Sequence, residues 1–129
     1  SCIRPVSFQP LMNQNFMNVD LIKKIIRFRD ERDWGQFHTI KDLCLGIGIE
    51  VSELQEIFLW KTNDEMESIK VSEKDKIENE LADIFIFMSY LCHDLNVDIE
   101  RAVIAKLKIN ESKYPIDKFK GSNKKYNSK

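Results

Sequence analysis

Five acids stand at helical spacing in the middle of the chain. Glu50, Glu53 and Glu56 follow one another at three-residue steps, and Glu80 and Asp83 repeat the step further on. An α-helix turns ~100° per residue, so a three-residue step leaves two side chains about 60° apart, on nearly one face. Both pairs sit in apolar sequence: Ile49, Val51 and Leu54 surround the first, and Leu81, Ala82 and Ile84 the second. If the two helices pack side by side, four carboxylates converge. Without a counterion they would raise one another's pKa values, and a divalent cation removes that conflict. Oxygen-only donors suit Mg²⁺, which keeps water and phosphate oxygens in its remaining positions. No nitrogen or sulfur ligand stands near, which disfavours zinc. A di-iron bundle needs Glu-x-x-His pairs, and neither His38 nor His93 lies three residues after a glutamate. Mg²⁺ held by carboxylates on a helical scaffold suits phosphate chemistry. The competing reading is a solvated helix face, where glutamates at this spacing are common and pair with lysines.

The elements that must carry these acids are helical. Asp20 is a candidate cap for a first helix, with Leu21, Ile22, Ile25, Ile26 and Phe28 at helical spacing. A charged cluster ends it, and an aromatic turn runs from Trp34 to His38. Thr39 caps a second helix over about residues 40–60, with Leu43, Ile47, Val51, Leu54, Ile57 and Phe58 on its apolar face. Gly46 and Gly48 lie inside it, each costing about 1 kcal/mol relative to alanine, so another backbone is expected to approach there. Residues 61–71 read as a polar loop with a helical turn. Ser72 reads as the cap of a third helix running to about residue 92. Its stripe is Leu81, Ile84, Phe85, Met88 and Leu91, and Ile86, Phe87 and Tyr90 add apolar surface on further sides. Asp98 caps a fourth helix to about residue 112, which Pro115 stops. Four amphipathic helices with short connections predict an all-α protein with a four-helix bundle core. Residues 1–16 read as an N-terminal extension or cloning remnant, with Met17 a candidate initiator. Residues 17–115 read as one helical domain, and 116–129 as a polar, basic tail.

Composition excludes several classes. Across 129 residues, 20 Lys and Arg face 21 Asp and Glu, a net charge of −1, which is wrong for a nucleic-acid binder working by bulk electrostatics. The hydrophobic fraction of 43% is too high for a disordered chain. No stretch approaches the roughly 18 apolar residues of a membrane span, and the first residues do not have the pattern of a secretory signal. The three cysteines form no CxxC motif. Cys44 and Cys92 read as small buried hydrophobes in a reducing, cytoplasmic compartment.

The order of these segments resembles a known family. Glu50-Val-Ser-Glu53 and Glu80-Leu-Ala-Asp83 resemble the ExxE…ExxD signature of the all-α, MazG-like nucleoside triphosphate pyrophosphohydrolases. Three further segments resemble the dCTP pyrophosphatase branch: Arg32-Asp33-Trp34-Gly35-Gln36-Phe37-His38; the run from Glu50 to Trp60; and Lys106, Asn110, Lys113, Tyr114 and Pro115 along and just beyond the fourth helix. The chain departs from that branch at Ile49 and Ser52, where glycine is common, and at Phe87, where tyrosine can stand.

The resemblance implies cleavage of a nucleoside triphosphate between its α and β phosphates. The substrate would be dCTP or a modified cytosine analogue, in nucleotide-pool cleaning. It implies Mg²⁺ on Glu50, Glu53, Glu80 and Asp83, with Glu50 or Glu53 orienting the attacking water. It implies Trp34, Trp60 and His38 on the nucleoside, and Lys106, Asn110, Lys113 and Tyr114 as further substrate contacts. It also implies homodimers or homotetramers with active sites near subunit interfaces. A broad-specificity NTP or dNTP enzyme is the nearest variant, and a catalytically inactive helical interaction module is the alternative from another class.

Overall fold

The computed structural model describes residues 19–126. The expectations for residues 1–16, for Met17 and for the last three residues lie outside them. All regular structure among the described residues is helical. It falls into two compact units, divided between Leu95 and Asn96.

In the first unit, α1 (Val19–Glu31) leads into a short 3₁₀ turn (Trp34–Phe37), then α2 (Ile40–Phe58). A second 3₁₀ turn (Asn63–Glu65), α3 (Met66–Ser72) and α4 (Lys74–Leu95) complete it. Asp20 lies in the first turn of α1, one residue inside the helix. Thr39 caps α2 as its residue type predicts: its hydroxyl oxygen accepts the Asp42 N–H at 3.1 Å. Ser72 corrects the sequence expectation, because it ends α3 rather than capping α4, and the chain kinks at Glu73. Further upstream, a capping box starts the 3₁₀ turn that leads into α3. The Glu65 side chain accepts the Thr62 N–H at 3.0 Å, and the Thr62 side chain accepts the backbone N–H of Glu65 in return.

α1, α2 and α4 meet around Ile25, Leu43 and Tyr90, with Ile22, Ile26, Phe85, Ile86, Phe87 and Leu91 packed against them. Leu43 is the most enclosed, at 2% exposure. Arg29 is buried in the same region. Its guanidinium makes two 2.8 Å hydrogen bonds to Asp94 at the far end of α4 and lies 4.9 Å from the Tyr90 ring centroid. Cys44 is exposed, against expectation. It sits one residue past Leu43, about 100° round the helix from the core.

The two helical glycines also correct expectation, since neither meets a backbone. A Cβ on Gly46 would come within 3.1 Å of the Phe87 ring, so α4 presents an aromatic face there. Among the described residues, nothing lies within 4 Å of a Cβ on Gly48. Gly48→Ala is therefore expected to stabilise the fold by about 0.5–1 kcal/mol through helix propensity alone. Urea unfolding checks it, and an unchanged or lower midpoint refutes it.

In the second unit, α5 (Ile99–Lys113) starts on Asp98, whose carboxylate accepts the Arg101 N–H at 3.1 Å. Pro115 ends α5, as its missing N–H requires, and also precedes a short helix α6 (Ile116–Phe119). Phe119 is buried, and its ring meets Tyr114 edge-on at 4.9 Å.

Candidate active site

The acids meet where α2 and α4 run antiparallel. Gly46 faces Phe87, and one turn further along both helices Glu50 faces Asp83. Side-chain oxygens of Glu50, Glu80 and Asp83 lie within 4.8 Å of one another. Burial pushes the Glu50 carboxyl up to about 7, helped by its hydrogen bond with Asp83 and by the charges of Glu53, Asp83 and Glu80. Glu80 is raised as well, by desolvation first and then by Glu53, Asp83 and Glu56. Its Oε1 is shut off from solvent with no hydrogen-bond partner. Glu53 lies outside the triangle, yet its charge acts on both neighbours.

Aromatic rings gather at the N-terminal end of α2. His38 lies 5.4 Å from the Tyr90 ring, 6.4 Å from Phe87 and 6.5 Å from Trp34. Burial, then the Arg29 charge, lowers the His38 pKa, so its imidazole is neutral at pH 7. Its Nδ1 is buried and unpartnered. Towards the other end of α2 a cleft of about 670 Å³ opens. It shares Glu53 and Glu80 with the acid site, and its further walls carry Glu56, Lys61, Ser72, Glu73 and Lys76.

Residues 45–128 match the MazG-like family. The chain belongs to the MazG-like family. The matched stretch holds all the acids of the site, Trp60 and the α5 residues, while Trp34 and His38 precede it. This MazG-like chain is 36% identical over 124 residues to dCTP pyrophosphatase 1 of Rattus norvegicus, covering 95% of this chain and 71% of that one. Against dCTP pyrophosphatase 1 of Homo sapiens it is 36% identical over 109 residues, covering 83% and 64%. Its fold matches the crystal structure of a pyrophosphatase from Archaeoglobus fulgidus with a TM-score of 0.72 and 39% identity, over 74% of this chain and 90% of the other. The rat and human relatives carry the name of the branch that the sequence segments resemble.

The MazG-like chain brings together Glu50, Glu80 and Asp83, with Glu53 beside them, and separately Trp34 and His38. Trp60 stands apart, 89% exposed beyond the other end of α2. A helix of that length spans roughly 28 Å, so within one chain Trp60 and Trp34 cannot stack on the same base. Lys106, Asn110 and Lys113 share one face of α5 in the second unit. The Lys113 ammonium lies 4.9 Å from the Tyr126 ring, and the Tyr114 N–H donates to the Asn110 carbonyl at 2.8 Å. Sequence reasoning missed Lys61 and Lys76 as cleft residues. Lys76 had a signal, standing four residues before Glu80 on one helix face.

The donor set fits a divalent cation. It is all oxygen, it is crowded beyond what like charges favour, and it contains a buried oxygen lacking a partner. This fit has a pH consequence. A carboxyl with a raised folded pKa holds its proton longer in the folded state than in the unfolded chain. The metal-free protein should therefore lose stability as pH rises from about 4.5 through about 7. Added Mg²⁺ should raise the melting temperature more at pH 8 than at pH 5. An equal shift at both pH values in a thermal melt would refute the assignment.

Proposed function

We propose that this chain is a Mg²⁺-dependent pyrophosphohydrolase of nucleoside triphosphates, cleaving dCTP or a modified cytosine analogue to the monophosphate and pyrophosphate in cytoplasmic nucleotide-pool cleaning. The observation that carries it is the Glu50, Glu80 and Asp83 cluster with its unsatisfied buried oxygen. The relatives' printed activity supports the substrate class. Glu50, Glu53, Glu80 and Asp83 hold the metal. Bound there, Mg²⁺ supplies the positive charge that offsets the triphosphate and makes a nearby water acidic enough to attack. Glu50 or Glu53 orients that water and takes its proton. The water oxygen bonds to the α-phosphorus in line with the departing bridge oxygen, which leaves on pyrophosphate. The neutral His38 and the Trp34 face hold the nucleoside, and Lys106, Asn110, Lys113 and Tyr114 add donors to the substrate.

The apolar surface that the described residues leave bare supports self-association. Phe85, Ile86, Phe87 and Tyr90, which make α4 apolar on several sides, pack into the core. Leu45, Ile49 and Leu81 are exposed instead, with Val103, Ile104 and Leu107 on α5. A homodimer or homotetramer covers such faces, and a second copy is the way for Trp60 to reach a base held at Trp34. The deciding experiment is a screen of canonical and modified dNTPs and NTPs with Mg²⁺, reading released pyrophosphate. A dominant dCTP-type signal is expected. Equal release from many nucleotides would mark a broad-specificity enzyme. No release, with no heat of dCTP binding by calorimetry, would mark an inactive interaction module.

A further inference from the structure

Resting on that reading, we propose that Arg29 is a positioning residue for the nucleoside: clamped by Asp94 and lying against Tyr90, it fixes how His38 meets the base. The guanidinium reaches both supports of the imidazole. On α4, Arg29 lies 4.9 Å from the Tyr90 ring centroid, and that ring lies 5.4 Å from His38 at a 32° tilt. In the turn before α2, a Cβ on Gly35 would stand 3.9 Å from the Arg29 Nε, and the Gly35 carbonyl accepts the His38 N–H at 3.1 Å. Asp94 accepts from the two terminal nitrogens at 2.8 Å each and so fixes the guanidinium in place. The Arg29 Nε is itself buried without a partner.

A buried ion pair is a weak way to hold helices together, because apolar residues of similar size often serve as well or better. What apolar residues cannot supply is a fixed positive charge beside His38. A cation there disfavours a second proton on the imidazole. The charges acting on His38 are Arg29 from α1 and Asp94 from α4, and Arg29 outweighs Asp94. Burial of the ring acts in the same sense as Arg29. Tyr90 adds no charge, since burial raises its hydroxyl above the ordinary value of 10. Phe87 and Trp34, the other rings beside His38, carry none. A neutral imidazole keeps one nitrogen as an acceptor, whereas an imidazolium only donates. An amino-bearing base such as cytosine donates from its exocyclic nitrogen, so the neutral ring is the form that can receive it.

NMR titration of His38 in the metal-free full chain tests this, with His38→Asn identifying its signal beside that of His93. The parent midpoint should lie below 6.5. Arg29→Gln removes the cation and leaves the anion, so the midpoint should move up. Asp94→Asn removes the anion and leaves the cation, so it should move down. Loosened packing would instead wet the ring and move both variants up towards 6.5. Affinity for dCMP scales with the neutral fraction. By calorimetry, Arg29→Gln should therefore bind dCMP several-fold more weakly than the parent at pH 6 and match it at pH 8. If Arg29→Gln does not fold, the downward shift in Asp94→Asn carries the reading. An unmoved or raised midpoint in Asp94→Asn overturns the proposal. So does one pH profile of dCMP affinity shared by the parent and Arg29→Gln, even if the parent hydrolyses dCTP. The expected shifts and dCMP profile in a parent that releases no pyrophosphate from any triphosphate sustain the proposal and fail the hydrolase reading.

Discussion

Asp83→Asn is expected to lower dCTP turnover by about two to three orders of magnitude while raising the melting temperature of the metal-free protein. Asparagine keeps the size of the side chain and removes one negative charge from a triangle whose oxygens lie within 4.8 Å. Turnover falls because the cation loses a charged ligand and its position shifts against the reacting phosphate. Stability rises because the remaining carboxylates repel less: Asp83 is one of the groups that hold Glu50 and Glu80 above the ordinary carboxylate range. The two readouts move in opposite directions, which a folding defect cannot produce. Steady-state pyrophosphate release and a thermal melt in chelator check them together. Glu53→Gln probes a different claim, since Glu53 lies outside the triangle and acts on it through charge. A matching loss of turnover keeps Glu53 among the metal ligands, and unchanged turnover removes it. Full activity in Asp83→Asn would remove the whole cluster from the chemistry.

Arg29→Ala is expected to cost about 3 kcal/mol of folding stability, the lower end for breaking a buried ion pair. Arg29 is 5% exposed and donates twice to Asp94 at 2.8 Å, tying α1 to the last turn of α4. Removing it leaves the Asp94 carboxylate in a half-buried site with both strong donors gone, and strips a guanidinium from beside the Tyr90 ring. Arg29→Lys should recover little, because an ammonium cannot reproduce the two-pronged geometry. There is also an acid signature. The hydrogen bond from Arg29 holds the Asp94 carboxyl below its usual range. Its contribution is therefore fully present above the unfolded value, near 3.8, and is lost as pH falls through the folded value. Urea unfolding at pH 7 and at steps below pH 3.8 should show the Arg29→Ala deficit shrinking as pH falls. A deficit independent of pH would mean that packing against Tyr90, rather than the ion pair, carries the effect.

What was legible in the chain was whatever depends on near neighbours. Thr39 and Asp98 cap their helices as expected because a cap bond spans three residues and needs nothing from the rest of the fold. The acid pairs were legible for the same reason: a three-residue step fixes a shared helix face. The start of the 3₁₀ turn ahead of α3 was equally local, since Thr62 and Glu65 form a capping box at the expected spacing. It went unread because the segment is polar and too short to show an apolar period. Cys44 and Gly48 failed for another reason: both sit in apolar sequence on a helix whose far face the described residues do not cover. Apolar neighbours in sequence cannot say whether the cover comes from the same chain or from a second copy.

By itself, then, the sequence determined that the chain is helical, that its acids come as two face-sharing pairs, and that its ordered segments resemble one branch of one family. Helix periodicity and capping are written over three or four residues, and motifs are written in order. Only the tertiary structure decided which acids touch, that Glu80 carries a shielded, unpartnered oxygen, and that Arg29 clasps Asp94 across the first unit. The same holds for Lys61 and Lys76 standing on the walls of one cleft. Those facts depend on the antiparallel register of α2 and α4, in which Gly46 meets Phe87 and Glu50 meets Asp83. That register is set by packing between residues far apart in the chain, and no local spacing encodes it.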